Sequence, residues 1–508
     1  MFQNDVHHVA VTTLFVISAL RLESPFAKVA PMADNTVSNS FLSRTRVLLR
    51  RALRDVVDGA ANLAQRGELN VRPDLPDDDL SRLQQQIDAS LSGRGGEASA
   101  RSNAAGLARC YLGLNEEGRV RFLRLLNFEY GVEPSYLNNA MDAVRNASDD
   151  LLAYGKAITG LRESLESPRM KLFRQFNDLE YGIKFLVDLR ADLRDLLRDN
   201  PDLRPLDADL KFLLSGWFDA GFLVLHRITW SAPADLLEKL IAYEAVHEIR
   251  SWNDMKNRLE SDRRFFGFFH PSMPDEPLIF VEVALVNGIA DNVQALLDES
   301  APVQDPEQAD TAIFYSISNA QRGLSGVSFG DFLIKQVVER LSARLPNVKT
   351  FATLSPIPGF RRWLDGRIAD GAELLNHEQE DALRAVAGDI EPEQSALQVL
   401  LDRPDWHQEP AVAEALKPVL THLAAGYLLY QRREATGTAL DPVAHFHLSN
   451  GARVERINWL GDMSKKGFEQ SAGMMVNYLY DKSRIEQNHE SYVSGSEIPA
   501  SSTVRNLL

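Results

Sequence analysis

The chain has a single cysteine, Cys110, among its 508 residues. No disulfide can form within the chain, and no metal site built on several cysteine ligands is available. Such low cysteine content fits a reducing compartment, and we expect a cytoplasmic protein. Cys110 lies in an apolar helical pattern, AAGLARCYLGL, which favours a core residue over a nucleophile.

Long hydrophobic runs are also scarce. The N-terminus holds one apolar run, residues 9–20, which is shorter than the roughly 20 residues needed to span a bilayer. Asp5 precedes this run, whereas a secretory signal has Lys or Arg there. We interpret residues 1–39 as a poorly ordered extension, and Met32 is an alternative start because a polar leader begins there. We therefore expect no membrane association.

Positive charge is in the minority, with 55 Lys and Arg against 71 Asp and Glu and a net charge of −16. Nucleic-acid binding needs a clustered basic surface, so we expect no nucleic-acid partner. A small phosphate-bearing ligand is not excluded, because a few local donors can hold a phosphate. The length predicts two domains.

The first half of the chain has a helical pattern from about residue 40 to residue 225. Segments such as FLSRTRVLLRRALRDVV and EEGRVRFLRLLNFEY place apolar residues three and four positions apart. Polar breaks containing Gly, Ser or Pro separate these segments. The pattern predicts an all-helical bundle domain over residues 40–225.

The pattern changes past Trp230, and the fold class predicted for the whole chain is α+β. Short β-branched runs predict strands at 277–286, 311–318 and 349–355, with an amphipathic helix at 331–345. A helical insertion is expected at about 370–435. The segment HFHLSNGARVERINWL reads as a strand, an Asn-Gly turn and a second strand.

A glycine-rich segment, QRGLSGVSFG at residues 321–330, joins a predicted strand to the amphipathic helix. Its glycines let the backbone approach a ligand, and the N–H groups at the helix start can bind phosphate. It is neither a Walker loop nor a dinucleotide fingerprint, because the spacing is wrong for both. Taken alone, the segment favours a structural turn over phosphate binding.

Two further segments contain candidate catalytic side chains. Ser355 ends a predicted strand in LSPIPGF, where the prolines stiffen the following turn. His445 and His447 share one face if HFHLSNG is a strand, which suits a general acid or base better than a zinc site without a third ligand. Taken singly, the serine and both histidines are more typical of structural positions.

Several blocks, taken together and in order, resemble malonyl-CoA decarboxylases across about residues 230–480. They are EAVHEIRSWNDMKNRL, HPSMPDEPLIFVEVAL, FYSISNAQRGLSGVSFGDFLIKQVVERL, TLSPIPGFRRWL, DPVAHFHLSNGARVERINWLGDMS and GMMVNYLY. The family also has an all-helical N-terminal domain, which fits the first half and implies oligomerisation through it. The resemblance implies an acetyltransferase-like catalytic domain over residues 226–508, and a homodimer or homotetramer.

The resemblance also assigns site residues by position. The catalytic serine falls on Ser355, the catalytic histidine on His447 and a tyrosine of the site on Tyr480. Lys239 matches a lysine linked to activity in relatives. The coenzyme A loop comprises Ser325, Gly326, Val327, Ser328, Phe329, Gly330 and Asp331. Many relatives have a Glu where this chain has Ser328, so either that acidic residue is dispensable here or the hydrogen-bond network of the site is rearranged.

The implied reaction converts malonyl-CoA to acetyl-CoA and carbon dioxide with no cofactor and no metal. The thioester carbonyl takes up the electrons as carbon dioxide leaves, and the enzyme stabilises and protonates the enolate. We expect His447 to protonate the α-carbon and Ser355 to orient the carboxylate or accept a proton. Two alternatives are an acyl-CoA-dependent N-acetyltransferase and a non-catalytic acyl-CoA-binding protein.

Overall fold

A computed structural model of the chain describes residues 70–92, 96–327, 332–391, 393–495 and 497–508. The extension expected at residues 1–39 lies outside the described residues, and so does the start of the predicted helical domain up to residue 69. No helix in the described part of the chain is both long and apolar enough to cross a membrane.

The first part of the described chain is helical, as its sequence pattern predicts. Its helices are α1 (Asp77–Leu91), α2 (Gly96–Gly113), α3 (Glu116–Phe128), α4 (Pro134–Asn146), α5 (Leu151–Ser164), α6 (Pro168–Asn177), α7 (Gly182–Leu196) and α8 (Arg204–Trp217). In α7, buried residues recur three and four positions apart, as at Ile183, Leu186 and Val187. This spacing directs one side of the helix into the core.

Helices α4 and α5 form a hairpin that differs from the other helices of the bundle. They pack mainly against each other. Helix α4 has no buried residue, and Ser164 is the buried residue of α5. Leu151 and Leu152 are 85% and 86% exposed, and Tyr136 and Tyr154 are also exposed. The hairpin therefore presents apolar side chains to solvent.

The second part of the chain mixes strands with helices. The strands are β1 (Val224–Ile228), β2 (Arg263–His270), β3 (Met273–Val286), β4 (Thr311–Asn319), β5 (Thr350–Thr353), β6 (Ser355–Pro356), β7 (Arg453–Asn458) and β8 (Met475–Leu479). The first helices are α9 (Ala234–Tyr243), α10 (Trp252–Asn257), α11 (Val293–Leu296), α12 (Phe332–Arg344) and α13 (Phe360–Ala369). The others are α14 (His377–Ala387), α15 (Ala396–Leu401), α16 (Pro410–Tyr430), α17 (Pro442–Ser449), α18 (Lys465–Ser471), α19 (Ile485–Val493) and α20 (Ser502–Arg505).

The strands of the described residues form one mixed sheet in the order β1-β2-β3-β4-β5-β8-β6, with β7 paired to β8. Strands β1 to β4 are antiparallel, and β4 pairs with β5 in parallel. The parallel pair is connected through the glycine-rich segment and α12. Together with the helical bundle, this arrangement confirms the predicted fold class, a helical part followed by an α+β part.

The core is continuous between the two parts of the chain. One cluster of buried apolar residues includes Phe185 and Leu186 of α7, Phe314 of β4 and Val337 of α12. The opposite face of the sheet is covered by smaller clusters involving α9, α10 and α11. The expected boundary near residue 225 falls at β1 and stays a prediction.

The strand predicted for HFHLSNG is wrong, because these residues lie in and just after helix α17. Asp441 caps the helix and Pro442 occupies its first turn. Gly451, with φ of +79°, follows the helix in the left-handed conformation that commonly ends one. The Asn450-Gly451 pair therefore ends a helix instead of connecting two strands. The predicted strands at 277–286, 311–318 and 349–355 are confirmed. Helices α14, α15 and α16 occupy the region of the expected helical insertion, whose status as an insertion stays a prediction.

Candidate active site

The candidate site lies where strands β4 and β5 separate. They pair from Thr311 to Phe314 of β4, and β4 then continues to Asn319. The chain after β5 turns into the short strand β6, which pairs with β8. Ser355 is the first residue of β6, so the edge of the separation holds a hydroxyl.

Ser355 is buried and its hydroxyl has two side-chain neighbours. Its Oγ donates a hydrogen bond to the Oγ1 of Thr353 at 2.8 Å. The same Oγ lies 3.2 Å from the Nε2 of His447. Thr353 is itself held in place, because its Oγ1 accepts the backbone N–H of Tyr478 at 3.1 Å. The serine hydroxyl therefore rests on a fixed acceptor.

His447 connects Ser355 to a second hydroxyl. Its Nδ1 lies 2.8 Å from the Oη of Tyr480, which follows β8. Because Ser355 donates its hydrogen to Thr353, its oxygen is free to accept one from His447. That pattern places the imidazole proton on Nε2 and leaves Nδ1 to accept the hydroxyl of Tyr480.

Burial controls the charge of His447. The side chain is 3% exposed. Loss of hydration lowers the pKa of the imidazole from 6.5 to about 3, so the ring is neutral near pH 7. The ring of Tyr478 stacks on it with centroids 4.6 Å apart. Helix α17 thus holds a neutral, hydrogen-bonded imidazole against residues of β6 and β8.

The two histidines of HFHLSNG have separate surroundings, since positions two apart on a helix point in different directions. The Nδ1 of His445 lies 2.8 Å from the Oη of Tyr492 and 3.3 Å from the Oγ of Ser449. The shared face expected for the pair is therefore wrong. No group of three or more His, Cys, Asp or Glu side chains within the described ranges could hold a metal ion.

A cavity of about 770 Å³ lies between the glycine-rich segment and helix α17. Ser325, Gly326 and Val327 line one side, and His445 and Phe446 of α17 line another. The opening between β4 and α7 adds Asn319, Ala191 and Arg194 to the lining. The predicted loop residues Ser328, Phe329, Gly330 and Asp331 lie outside the described residues.

Arg190 of α7 anchors the glycine-rich segment to the helical part. This arginine is fully buried, and its Nε donates to Asp207 of α8 at 2.8 Å. Its Nη1 donates to the carbonyl oxygens of Gly323 and Ser325 at 2.6 and 3.0 Å. The contact is close, since a Cβ on Gly323 would lie 1.8 Å from a backbone oxygen of Val187.

Lys239 lies on α9, away from the contact between Ser355 and His447. Its Nζ pairs with an oxygen of Glu276 at 2.8 Å and donates to the carbonyl of Asp275 at 3.0 Å. Glu276 in turn accepts the side-chain amide of Gln321 at 3.4 Å. Lys239 therefore reaches the start of the glycine-rich segment through one intervening carboxylate.

Sequence reasoning missed Thr353, Tyr478 and Arg190. Each acts through a contact with residues distant along the chain, and nothing local distinguishes them from ordinary core residues. The helical placement of His447 did have a local signal. Asp441 followed by Pro442 before an apolar run is a typical helix start.

Comparisons with known proteins agree along most of the chain. The family model of the malonyl-CoA decarboxylase C-terminal domain matches residues 221–508, and that of the N-terminal domain matches residues 130–218. The mitochondrial malonyl-CoA decarboxylase of Rattus norvegicus is 37% identical over 427 residues, which is 81% of this chain and 86% of the relative.

Solved structures give the same result. The malonyl-CoA decarboxylase from Rhodopseudomonas palustris is 42% identical with a TM-score of 0.76, covering 84% of this chain and 99% of that chain. The one from Agrobacterium vitis is also 42% identical, with a TM-score of 0.74 and the same coverage. The chain described above therefore belongs to the malonyl-CoA decarboxylase family.

Proposed function

We propose that this chain is a carboxy-lyase that converts malonyl-CoA to acetyl-CoA and carbon dioxide. The observation that carries the proposal is the contact series from Ser355 through His447 to Tyr480. The helix that carries His447 also supplies His445 and Phe446 to the cavity that the glycine-rich segment lines. Family membership supports the same reaction.

The reaction needs an electron acceptor and a proton donor. The bond between the malonyl carboxylate and the α-carbon breaks, and its electron pair moves to the thioester carbonyl as carbon dioxide leaves. The resulting enolate takes one proton at the α-carbon to give acetyl-CoA. A dry site favours release of the charged carboxylate as neutral carbon dioxide.

His447 is the proposed proton donor. Its neutral ring carries the proton on Nε2, on the side of Ser355, and Tyr480 can supply its own hydroxyl proton to Nδ1 as the first proton leaves. A neutral imidazole can serve as the acid when the developing charge is a strongly basic enolate. Solvent then returns a proton to Tyr480.

Ser355 is proposed to orient the malonyl carboxylate, or to accept the paired proton. Its hydroxyl already has a fixed acceptor in Thr353 and a donor in His447, so its position is defined before substrate binds. Preorganised groups of this kind stabilise a transition state without reorganisation cost.

The cavity is the proposed site of the coenzyme A portion. It lies beside the start of α12, where unpaired backbone N–H groups favour phosphate oxygens. Ser325 to Val327 line it directly. Coenzyme A binding by Ser328, Phe329, Gly330 and Asp331 remains a proposal from the family resemblance. Lys239 is proposed to act on this loop through Glu276 and Gln321.

The direct test is incubation of the purified chain with malonyl-CoA and no amine acceptor, with and without a chelator. We expect acetyl-CoA and carbon dioxide in equal amounts under both conditions. An N-acetyltransferase would form no acetyl-CoA from malonyl-CoA, and a binding protein would retain malonyl-CoA unchanged. Either result would refute the proposal.

A homodimer or homotetramer is proposed on the basis of the hairpin formed by α4 and α5. Two helices alone cannot bury their apolar faces, whereas two hairpins can complete a four-helix bundle around a twofold axis. The hairpin is nearly neutral on a chain of net charge −16, so copies would repel little there. Its charged residues are Asp142, Asp149, Asp150 and Glu163 against Arg145, Lys156 and Arg162.

A cytoplasmic location is proposed from the single cysteine, which fits a reducing compartment. The curated relative from Rattus norvegicus is mitochondrial. Fractionation of the native cells, followed by immunodetection of the chain, would separate the two locations. Recovery in the soluble cytoplasmic fraction is the expected result.

A further inference from the structure

Asp441 is a buried carboxylate that none of the proposed reaction steps uses. It is 1% exposed and precedes α17, the helix that carries His447. Its Oδ1 accepts the backbone N–H groups of Val443 and Ala444, both at 2.9 Å. This oxygen is a helix N-cap, which satisfies donors that the first turn of a helix leaves unpaired.

The second oxygen of Asp441 makes a contact that helix capping does not require. Its Oδ2 accepts the backbone N–H of Gly359 at 3.2 Å, from a residue 82 positions earlier. Gly359 ends the turn that begins at Ser355, and α13 starts directly after it. One carboxylate therefore connects the serine turn to the histidine helix.

The surroundings make this connection tight. A Cβ on Gly359 would lie 2.2 Å from the hydroxyl oxygen of Tyr427 and 3.4 Å from the Oδ2 of Asp441, so both side chains press against this glycine. Burial raises the pKa of Asp441, but the backbone N–H groups of Ala444, Gly359 and Val443 oppose that shift. The N-terminal ends of two helices, α13 and α17, thus meet at one carboxylate, and both helix dipoles favour its negative charge.

We propose that Asp441 is a positioning residue that sets the separation of Ser355 and His447 by fastening the serine turn to the histidine helix. This inference rests on the proposed function, since it assigns Asp441 a role in the same reaction. Asp441 does not touch the reacting atoms, and it acts through the two elements that carry them.

Both elements are stiff enough to transmit the constraint. The serine turn contains Pro356 and Pro358, whose rings fix the backbone, and Ile357 within it is fully buried. Helix α17 is short and continuous, so the six residues from Asp441 to His447 span about 9 Å as one rigid unit. A shift at Gly359 would therefore change the distance between Ser355 and His447.

The test uses Asp441→Asn, because asparagine separates the two roles. An asparagine oxygen remains a good N-cap for Val443 and Ala444, but its NH₂ group then faces the N–H of Gly359, and two donors repel. The cap is kept while the fastening is lost. Asp441→Ser provides a second variant, which keeps a capping oxygen but is too short to reach Gly359.

The measurements are kcat and KM for malonyl-CoA, together with the thermal unfolding midpoint of the full chain. We expect both variants to lower kcat by about 100-fold, the scale of a misplacement of about 1 Å in a catalytic pair. KM should stay within about threefold, because the glycine-rich segment is not altered. Asp305→Asn removes a carboxylate from another capping position, which is exposed, and should change neither constant.

Three results would overturn the inference. One is retention of kcat within about threefold of wild type in both Asp441 variants. Another is a lowered kcat that is accompanied by an equally large rise in KM and by a lower unfolding midpoint. The last is misfolding of both Asp441 variants while Asp305→Asn folds. The latter two would assign Asp441 a role in folding alone. Failure of the wild type to decarboxylate malonyl-CoA would instead refute the proposed function.

Discussion

The Nε2 atom of His447 lies 3.2 Å from the Oγ atom of Ser355, although 92 residues separate the two along the chain. The histidine comes from a helix and the serine from a two-residue strand. The hydroxyl of Tyr480 holds His447, and the hydroxyl of Thr353 holds Ser355. Their meeting point lies where β4 separates from β5, and His445 and Phe446 of the same helix line the cavity.

The lowered pKa of His447 leads to a prediction about pH. Because burial brings this pKa from 6.5 to about 3, the ring does not titrate between pH 6 and pH 8 in the free enzyme. We expect that kcat/KM does not fall as the pH rises through an apparent pKa near 6.5. Such a loss in the measured profile would mean that the imidazolium is the required form.

The same shift affects stability in a definite direction. At pH values between about 3 and 6.5, the unfolded chain binds a proton at residue 447 that the folded chain does not. Stability from this group is therefore complete above pH 6.5 and declines as the pH falls. His447→Asn should show a smaller decline of unfolding free energy between pH 7 and pH 5 than wild type, as measured by urea titration.

Arg190 is predicted to affect substrate affinity more than turnover. Arg190→Lys keeps the charge, but the compact ammonium lacks the planar guanidinium geometry that lets Arg190 donate to Asp207 and to two carbonyl oxygens at once. We expect KM for malonyl-CoA to rise about tenfold, equivalent to about 1.4 kcal/mol, with little change in kcat. The control is Arg198→Lys, an exposed arginine just past the end of α7. Equal KM values for the two variants would argue against the role of Arg190.

The hairpin of α4 and α5 is predicted to hold the oligomer together. Leu151→Glu combined with Leu152→Glu places charge on its most exposed apolar positions. The free energy of unfolding should change by only about 0.5 kcal/mol, because both side chains are on the surface. Self-association should nevertheless be lost. Phe212→Glu, at an exposed position on α8, is the matched control. Sedimentation velocity would show a smaller species for the double variant, and an unchanged size would contradict the prediction.

The sequence predicted the element types well where local patterns were strong. The β-branched run before Val286 and the amphipathic spacing of α12 determine a strand and a helix with little help from the rest of the chain. The segment around His447 was interpreted as a strand because Asn450-Gly451 resembles a hairpin turn. The same pair also suits the end of a helix, and the cap at Asp441 decides between the two.

The site itself could not be worked out from local patterns. Ser355, His447 and Tyr480 come from three elements, and their proximity depends on the sheet order β5-β8-β6, which no short segment specifies. Resemblance to the family named these residues. The supporting contacts of Thr353, Arg190 and Asp441 became visible only in three dimensions.

The central claim is that Ser355 and His447 together carry the decarboxylation of malonyl-CoA. The most direct measurement is single-turnover conversion of malonyl-CoA to acetyl-CoA by wild type, Ser355→Ala and His447→Asn, each checked for folding and acyl-CoA binding. Loss of a catalytic donor costs about 3–4 kcal/mol, so each variant should be slower by about 100-fold or more with binding retained. Near-wild-type rates in both variants would contradict the account.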